Sequence, residues 1–328
     1  MDIVILGCLC IDNSVNAEGV SMVHQFGGNC AYGAAGANMW NSGKVGMVAR
    51  MGDDFPREWI RMLSERGIDT EGIREVHKRH LMFAGMFYDE NGDRWELSLE
   101  KKKGEDNAII ADFPAMTPEM IREAQEDFAP TAEDIPDSYA DAKCVMIASR
   151  HYDRQLAYAR YFRDRDPGCR IVMDLGQDYL DPGRKDDMRK LFSLVDIVMP
   201  SEDEVKQIFG ADMEDMCLAA KLLCSEYGAN NSCVKIGKDG CIIYEKDKDR
   251  LTHVDIFKVK ANDPTGAGDS FCGGFAVGLM KTGDLVEAAR YGAVSSSFVV
   301  EHFGAAEALK VTREQAEARL QEVTYEVL

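Results

Sequence analysis

The sequence predicts an α/β protein in which a mostly parallel β-sheet is sandwiched by helices. Short β-branched runs alternate with longer helical patterns over much of the 328 residues, and several of the short runs are apolar almost throughout. Such apolar runs are typical of strands that helices cover on both faces, and alternating β and α elements favour parallel pairing. With 45% hydrophobic and 29% charged residues, the chain can bury a large core.

Apolar runs mark the candidate strands, and Arg170-Ile171-Val172-Met173-Asp174 is typical in ending on a polar residue. The candidate strands are residues 2–9, 45–51, 82–88, 144–149, 170–175, 196–200, 232–237 and 241–245, with a further one at 257–260. Helical periodicity fills the intervals at about 29–42, 55–66, 153–165, 184–194, 202–209, 214–227, 267–282, 284–302 and 312–324.

Two stretches interrupt this alternation and predict a small separate β-sheet. Residues 10–26 and 80–100 are predicted strands, and Asn91-Gly92 in the second stretch is a strong signal for a hairpin turn. Residues 104–140 are acidic, contain four prolines and predict an irregular surface segment with one helix near 117–127. We therefore predict one domain of residues 1–328, with a small β-lid built from about 10–26 and 80–100.

The net charge argues against polyanionic partners. Aspartate and glutamate number 57 against 38 lysines and arginines, a formal charge of −19, and no basic run is longer than Lys101-Lys102-Lys103. Because nucleic acids and anionic membranes bind basic surfaces, we expect neither as a partner. Any phosphate ligand therefore needs a locally built site.

The ten cysteines predict a reduced, cytoplasmic protein. They are scattered without a C-x-x-C pair, and most lie in apolar runs, where a thiol serves as a small core residue. Cys8-x-Cys10 lacks the second pair of ligands that a zinc site needs. No basic leader precedes the first strand, and no apolar run approaches the ~18–20 residues of a membrane span, so we expect neither signal peptide nor span.

The segment with the strongest chemical signal is Asp263-Pro264-Thr265-Gly266-Ala267-Gly268-Asp269-Ser270-Phe271, which opens the predicted helix 267–282. Gly266 and Gly268 permit backbone conformations that side chains would block, and free amides at the helix start attract an anion. Asp269, in the first turn, has two interpretations. It is either a helix-capping acid or a base that takes a proton from a substrate hydroxyl beside a bound phosphate.

Other nucleotide-binding motifs do not fit. A Walker A loop requires serine or threonine after its Gly-Lys pair, but Val45 and Asp239 stand there. A dinucleotide fingerprint that starts at Gly266 requires glycine at the position of Phe271. The phosphate site is thus of another type.

The segment from Asp263 to Phe271 matches, at every position, the signature D-[TP]-[TV]-G-A-G-D-[ST]-F, and so resembles that of the ribokinase-like (PfkB) carbohydrate kinases. The resemblance implies a ribokinase-like fold and an ATP-dependent transfer to an alcohol group, with Mg²⁺. It implies that Gly266, Ala267 and Gly268 form the anion hole and that Asp269 is the catalytic base. It also implies a K⁺ site at Asp263 and Thr265.

The resemblance extends to the N-terminal half. Gly27-Gly28-Asn29-Cys30-Ala31-Tyr32 is similar to the family's G-G-x-x-x-N element, and Asp12 occupies the place of its sugar-binding aspartate. The predicted substrate-binding residues are therefore Asp12, Gly27, Gly28, Asn29 and Tyr32. Tyr32 stands where the family has asparagine, and its ring favours either stacking on a sugar or base, or core packing.

Two loops of the C-terminal half resemble the family's nucleotide site. Ser201-Glu202-Asp203-Glu204 is similar to N-x-x-E, which implies that Glu204 holds Mg²⁺ through water, although serine replaces the asparagine. The segment from Lys235 to Gly240 is similar to the strand and loop that border ATP. Predicted ATP-binding residues are Ser201, Lys235, Gly237, Gly240 and Gly268.

These features predict an ATP-dependent kinase that phosphorylates a hydroxymethyl group of a small sugar or sugar-like substrate. The alternative within the fold is a nucleoside kinase, and the non-enzymatic alternative is a catalytically silent sugar or nucleotide sensor. The intact Gly266–Asp269 segment argues against a sensor, because a sensor needs no base. We also expect a homodimer through the lid, since small sheets leave exposed strand edges that a second copy can cover.

Overall fold

The computed structural model describes residues 1–88, 94–96, 117–148 and 151–328. Its strands are β1 (Ile3–Leu6), β2 (Cys10–Val15), β3 (Ser21–Gly27), β4 (Val45–Met51), β5 (Asp69–Glu75), β6 (Phe83–Tyr88), β7 (Arg94–Glu96), β8 (Cys144–Ile147), β9 (Arg170–Met173), β10 (Ile197–Val198), β11 (Asn231–Lys235), β12 (Cys241–Glu245), β13 (Arg250–Val254) and β14 (Tyr325–Val327). Its α-helices are α1 (Asn29–Asn38), α2 (Arg57–Glu65), α3 (Pro118–Phe128), α4 (Tyr152–Arg165), α5 (Lys185–Phe192), α6 (Glu202–Phe209), α7 (Met216–Ser225), α8 (Ala267–Thr282), α9 (Leu285–Val299) and α10 (Arg313–Leu320).

Ten of these strands form one mixed sheet, in the order β14-β13-β12-β11-β10-β9-β8-β1-β4-β5. All pairs from β11 through β5 are parallel, whereas β12, β13 and β14 join antiparallel at the other edge. In the centre, Ile3 of β1 is in register with Val45 of β4 and Cys144 of β8. The predicted fold class, a mostly parallel sheet with helices, is confirmed.

Helices cover both faces of the sheet, and β1 shows how the core is divided. Ile3 and Ile5 belong to the apolar cluster that includes buried residues of α1, α8 and α9. Val4 and Leu6 belong to the second cluster, with buried residues of α4, α5, α6 and α7. All four are at most 1% exposed, which explains why the strand is apolar throughout.

The predicted strand at 257–260 is wrong, and three strands were not predicted. Phe257 lies beyond the sheet, with the Arg319 guanidinium 4.8 Å from its ring centroid, so its apolar character serves packing instead of pairing. The missed strands are β5, β13 and β14. β5 and β14 form the two edges of the sheet, where partly exposed, polar strands lack the continuous apolar run of a central strand.

A second sheet has the strand order β3-β2-β6-β7 and is built from the two predicted stretches. β2 pairs antiparallel with β3 and parallel with β6, and β7 pairs antiparallel with β6. The predicted Asn91-Gly92 turn lies outside the described residues. That this sheet acts as a lid stays a prediction.

The acidic stretch 104–140 is only partly a surface segment. Residues 104–116 lie outside the described part, and the helix predicted near 117–127 is α3. Beyond α3, however, Phe128 and Tyr139 are buried, and the Tyr139 hydroxyl donates 2.7 Å to the Asp69 carboxylate of β5. The prediction of a surface excursion is wrong there, because Tyr139 anchors the chain to the main sheet, while Phe128 packs in a small separate apolar cluster with Ala124.

Within the described ranges, none of the helices combines the length and the apolar character that a bilayer crossing requires.

Candidate active site

The start of α8 lies directly above the Tyr32 ring. Gly266 has φ +78°, a left-handed conformation that strains residues with a side chain. A Cβ atom at this position would lie 2.2 Å from the Tyr32 ring, so only glycine fits between the turn and the aromatic face. The left-handed turn ends the preceding loop and leaves the first amides of α8 at the helix N-terminus, where an anion is favoured.

Buried hydroxyl groups of the second sheet hold the loop before α8. Ser14 of β2 donates to Asp263 Oδ2 at 2.6 Å, while the Thr265 hydroxyl donates to Oδ1 of the same carboxylate at 2.6 Å. The Tyr88 hydroxyl of β6 lies 2.8 Å from the Thr265 hydroxyl. Asp263 and Thr265 were predicted to hold K⁺, and here they connect the glycine-rich loop to the second sheet.

Asp12 of β2 is a buried carboxylate on the same side of the molecule. Its Oδ2 accepts a hydrogen bond of 2.9 Å from the Tyr32 hydroxyl, whereas Oδ1 is buried without a hydrogen bond of normal geometry to the described residues. Burial raises the pKa of Asp12 to about 7. The hydrogen bond from Tyr32 lowers this pKa, whereas the nearby Asp263 and Asp269 carboxylates raise it. A buried acceptor without a partner fits a ligand hydroxyl.

The glycine pair before α1 brings its backbone close to β2. A Cβ on Gly27 would lie 1.9 Å from an Asp12 oxygen, and one on Gly28, which has φ +92°, would lie 2.5 Å from the Cys8 carbonyl. Asn29 bonds to the backbone: its Oδ1 accepts from the Cys8 amide at 2.7 Å, and its Nδ2 donates to the Ala148 carbonyl. Asn29 therefore ties the ends of β1 and β8 together, with its amide engaged by the protein.

A second group of charges lies where β9 and β11 end. Lys235, the last residue of β11, places Nζ 2.5 Å from Oδ1 of Asp174, which directly follows β9. Both side chains are largely buried, at 13% and 17% exposure. A Cβ on Gly268 would lie 3.3 Å from Lys235 Nζ, so the ammonium lies beside the first turn of α8.

Glu204 caps its own helix and lies near this ion pair. Its Oε2 accepts 2.8 Å from the Ser201 amide, and the Ser201 hydroxyl accepts from the Glu204 amide, a reciprocal capping box. Burial raises the pKa of Glu204 to about 7, with a further contribution from Asp174 that Lys235 partly offsets. The capping interpretation and the predicted metal-linked role are compatible, since the cap engages one of two carboxylate oxygens.

The predicted nucleotide loop follows β11. Gly237 and Gly240 both have positive φ, +58° and +94°, and a Cβ on Gly240 would lie 2.1 Å from the Val254 carbonyl. The Ile236 amide donates 2.9 Å to the Gly240 carbonyl and closes the turn. Gly237 is exposed, so the turn presents backbone to solvent at the carboxyl edge of the sheet, where open α/β sheets bind ligands.

Asp269 is half-buried and is the acidic residue of the first turn of α8. It lies close enough to Asp12 to contribute to that residue's raised pKa. The site thus combines the Asp12 and Asp269 carboxylates with a glycine-rich helix start and the Lys235 ammonium. Such a set can bind an anion at the amides, accept hydroxyl groups at the carboxylates and remove a proton.

The chain matches the model of the pfkB family carbohydrate kinases over residues 168–312. It is 28% identical over 309 residues to the cytidine kinase of Thermococcus kodakarensis, covering 93% of this chain and 98% of that protein. The predicted resemblance to the ribokinase-like (PfkB) carbohydrate kinases is therefore confirmed. Both matches are to kinases and agree with the phosphotransferase activity that the glycine-rich motif predicted.

Solved structures of ribokinase-like proteins share its fold. Ribokinase from Cryptococcus neoformans in complex with ADP superposes with a TM-score of 0.72 at 19% identity, covering 97% of this chain and 99% of that chain. A putative ribokinase II from E. coli in complex with ATP and Mg²⁺ gives a TM-score of 0.70 at 20% identity, covering 98% of this chain and 99% of that chain. The predicted ribokinase-like fold is confirmed.

Sequence reasoning missed Asp174, Ser14 and Tyr88 as parts of this site. Asp174 carried one signal, since a polar residue at the carboxyl end of a buried strand is typical of α/β ligand sites. Ser14 and Tyr88 carried none, because their bonds to the loop before α8 depend on how the second sheet packs.

Proposed function

We propose that this kinase uses ATP to phosphorylate a hydroxymethyl group of a small sugar or sugar-like molecule. The observation that supports this most is the position of two carboxylates around the start of α8. Asp269 lies in the first turn of the helix, and the buried Asp12 has an oxygen without a hydrogen-bond partner among the described residues. A carboxylate can accept hydrogen bonds from neighbouring sugar hydroxyls, so Asp12 would orient the acceptor toward Asp269.

In the proposed reaction, the substrate hydroxyl oxygen forms a bond to the γ-phosphorus of ATP. The bond between that phosphorus and the bridging oxygen breaks, and ADP leaves with the electron pair while the hydroxyl proton passes to Asp269. The amides of Gly266 and Gly268 stabilise the charge on the phosphoryl oxygens, whereas the Ala267 amide, which was also predicted for this role, donates 3.1 Å to the Pro264 carbonyl.

Glu204 and its neighbours fit a magnesium ion that accompanies the nucleotide. Mg²⁺ prefers oxygen ligands and keeps several waters, and Glu204 has one carboxylate oxygen outside the helix cap. Mg²⁺ supplies charge neutralisation at the phosphates when it is bound. Glu204 would hold it through a water, and Ser201 keeps the carboxylate in place through the capping box.

The second candidate function is phosphorylation of a nucleoside. It is favoured by the similarity to the cytidine kinase of Thermococcus kodakarensis, which covers 93% of this chain. Tyr32 does not support it, because the ring is 2% exposed beneath Gly266 and offers no free face for a base. The core-packing interpretation of Tyr32 therefore fits better than the stacking interpretation.

A panel of acceptors tests the proposal. Pentoses, hexoses, sugar acids and nucleosides are incubated with Mg-ATP, and ADP release is compared with release in the absence of an acceptor. We expect one sugar or sugar acid to give the highest kcat/KM, with the phosphate on a primary hydroxyl. Release that depends on nucleosides alone would establish the second candidate. No stimulation by any acceptor would contradict both.

A further inference from the structure

The ion pair between Lys235 and Asp174 lies at the point where the proposed phosphate site meets the sheet. Lys235 Nζ is 2.5 Å from Asp174 Oδ1 and close to the Gly268 backbone. The three residues belong to separate elements, the ends of β11 and β9 and the first turn of α8. This juxtaposition depends on the assembled sheet and fixes an ammonium beside the helix amides.

Stability alone does not account for this pair. Removing two charges from water costs free energy, and apolar residues of similar size at such positions are often equally stabilising. Cys272, which lies 4.0 Å from Nζ, is fully buried and shows that the surroundings are suited to apolar packing. A charged pair at this position is therefore better explained by an anionic ligand.

The ammonium also retains capacity for such a ligand. A lysine ammonium has three donors, of which Asp174 engages one, while the Cys272 sulfur is a weak acceptor. Burial lowers the pKa of Lys235, but the Asp174 and Glu204 carboxylates outweigh this and raise it above its usual value. The lysine is thus protonated at neutral pH. Because the chain has a formal charge of −19, a triphosphate depends on such local positive charge.

We propose that Lys235 is a catalytic residue that contacts the transferring phosphoryl group, and that Asp174 is the positioning residue that holds the ammonium there. This inference rests on the proposed function. As the hydroxyl oxygen bonds to the γ-phosphorus and ADP leaves with the bridging electron pair, the proton passes to Asp269. Lys235 keeps its own proton throughout and donates hydrogen bonds to the phosphoryl oxygens, whose charge it neutralises.

The first experiment replaces the lysine. Lys235→Met removes the charge at similar volume, and Lys248→Met is the matched control, because Lys248 also pairs with a carboxylate, Glu245, which keeps Arg250 as a second partner. We expect Lys235→Met to lower kcat about 10²- to 10³-fold, the usual cost of removing one charge-stabilising donor. Affinity for a non-hydrolysable ATP analogue should fall further than affinity for MgADP. A kcat within about threefold of the control, or an equal loss for both nucleotides, would overturn the assignment.

The second experiment separates positioning from folding. Asp174→Asn keeps the shape of the side chain but no longer balances the ammonium charge. We expect a kcat about tenfold lower, a KM for ATP no higher than that of the wild type, and partial recovery in Asp174→Glu. A purely structural role would lower the melting temperature and leave kcat of the folded fraction unchanged, which would contradict the proposal.

Folding is verified by circular dichroism and thermal denaturation. If Lys235→Met does not fold, Lys235→Gln tests the same expectation, since its amide can still donate to Asp174. Failure of the proposed function has a different signature. If the proposed function is wrong, Asp269→Asn remains active whatever Lys235→Met does. If only the assignment of Lys235 is wrong, Asp269→Asn still loses activity.

Discussion

Tyr32→Phe isolates the hydrogen bond that controls the Asp12 carboxylate. The substitution removes the hydroxyl that donates 2.9 Å to Asp12 Oδ2 and keeps the ring beneath Gly266, so the start of α8 remains supported. Asp12 already has a pKa of about 7, because burial and the Asp263 and Asp269 carboxylates oppose its charge. The Tyr32 bond is the strongest interaction that favours the ionised form.

A hydrogen bond to a charged group contributes about 1.5–3 kcal/mol, and one pKa unit corresponds to about 1.4 kcal/mol. Loss of the bond should therefore raise the pKa of Asp12 by about 1–2 units. Only the ionised carboxylate accepts two sugar hydroxyls, so kcat/KM for the sugar falls as the pH drops through the pKa. At pH 7 the variant should lose about 5- to 50-fold in kcat/KM for the sugar and recover above about pH 9.

The assay is the pH profile of kcat/KM for the sugar, which reports groups of the free enzyme. Tyr139→Phe is the matched control, because Tyr139 also donates to a carboxylate, Asp69, at 2.7 Å outside the site. The acid limb should move upward in Tyr32→Phe only. An acid limb at the same pH in wild type and variant would refute the assignment of that limb to Asp12.

Three further predictions address the loop before α8, a cation and the assembly. Gly266→Ala should lower both the melting temperature and kcat more than Gly67→Ala. Each replaces a glycine with φ near +80°, but a Cβ at position 266 would lie 2.2 Å from the Tyr32 ring, whereas one at position 67 would meet nothing within 4 Å; equal effects would contradict the close packing. Activity should rise when K⁺ replaces a bulky organic cation at constant ionic strength, as expected for a site at Asp263 and Thr265; equal rates would exclude that site. Light scattering should give about twice the mass of the 36.5 kDa chain. Met22→Asp, on the exposed edge strand β3, should give the monomer, whereas the control Leu218→Asp, on α7, should leave the dimer intact. A monomeric wild type would contradict the lid dimer. Phe87, which the alternation of side chains along β6 offers as a dimer contact, is 6% exposed and unsuitable for this test.

Local physics explains what the sequence could predict. The bounds of α8 follow from a glycine-rich turn and an uninterrupted helical pattern, and the predicted helix 267–282 has those bounds in the structure. Asp269 is placed in the first turn of that helix by its distance along the chain from Gly266. Buried parallel strands such as β1 were predictable for the same reason, because apolar character on both faces is a local property.

Long-range packing explains the rest. The bond of Ser14 to Asp263 joins residues 249 positions apart, and the bond of Lys235 to Asp174 joins residues 61 apart. Neither pairing has a spacing that a helix or hairpin would dictate, so it follows only from the order of strands in the two sheets. The position of Tyr32 was only partly predictable. The sequence favoured either stacking on a ligand or core packing, and the burial of the ring beneath Gly266 favours core packing.

The central claim, that Asp269 removes the proton of the acceptor hydroxyl, is tested most directly by the kcat of Asp269→Asn. The amide keeps the size of the side chain at the helix start and cannot accept the proton. We predict a kcat about 10²- to 10⁴-fold below wild type, with the KM for ATP little changed. A variant that turns over within about threefold of wild type would contradict the account.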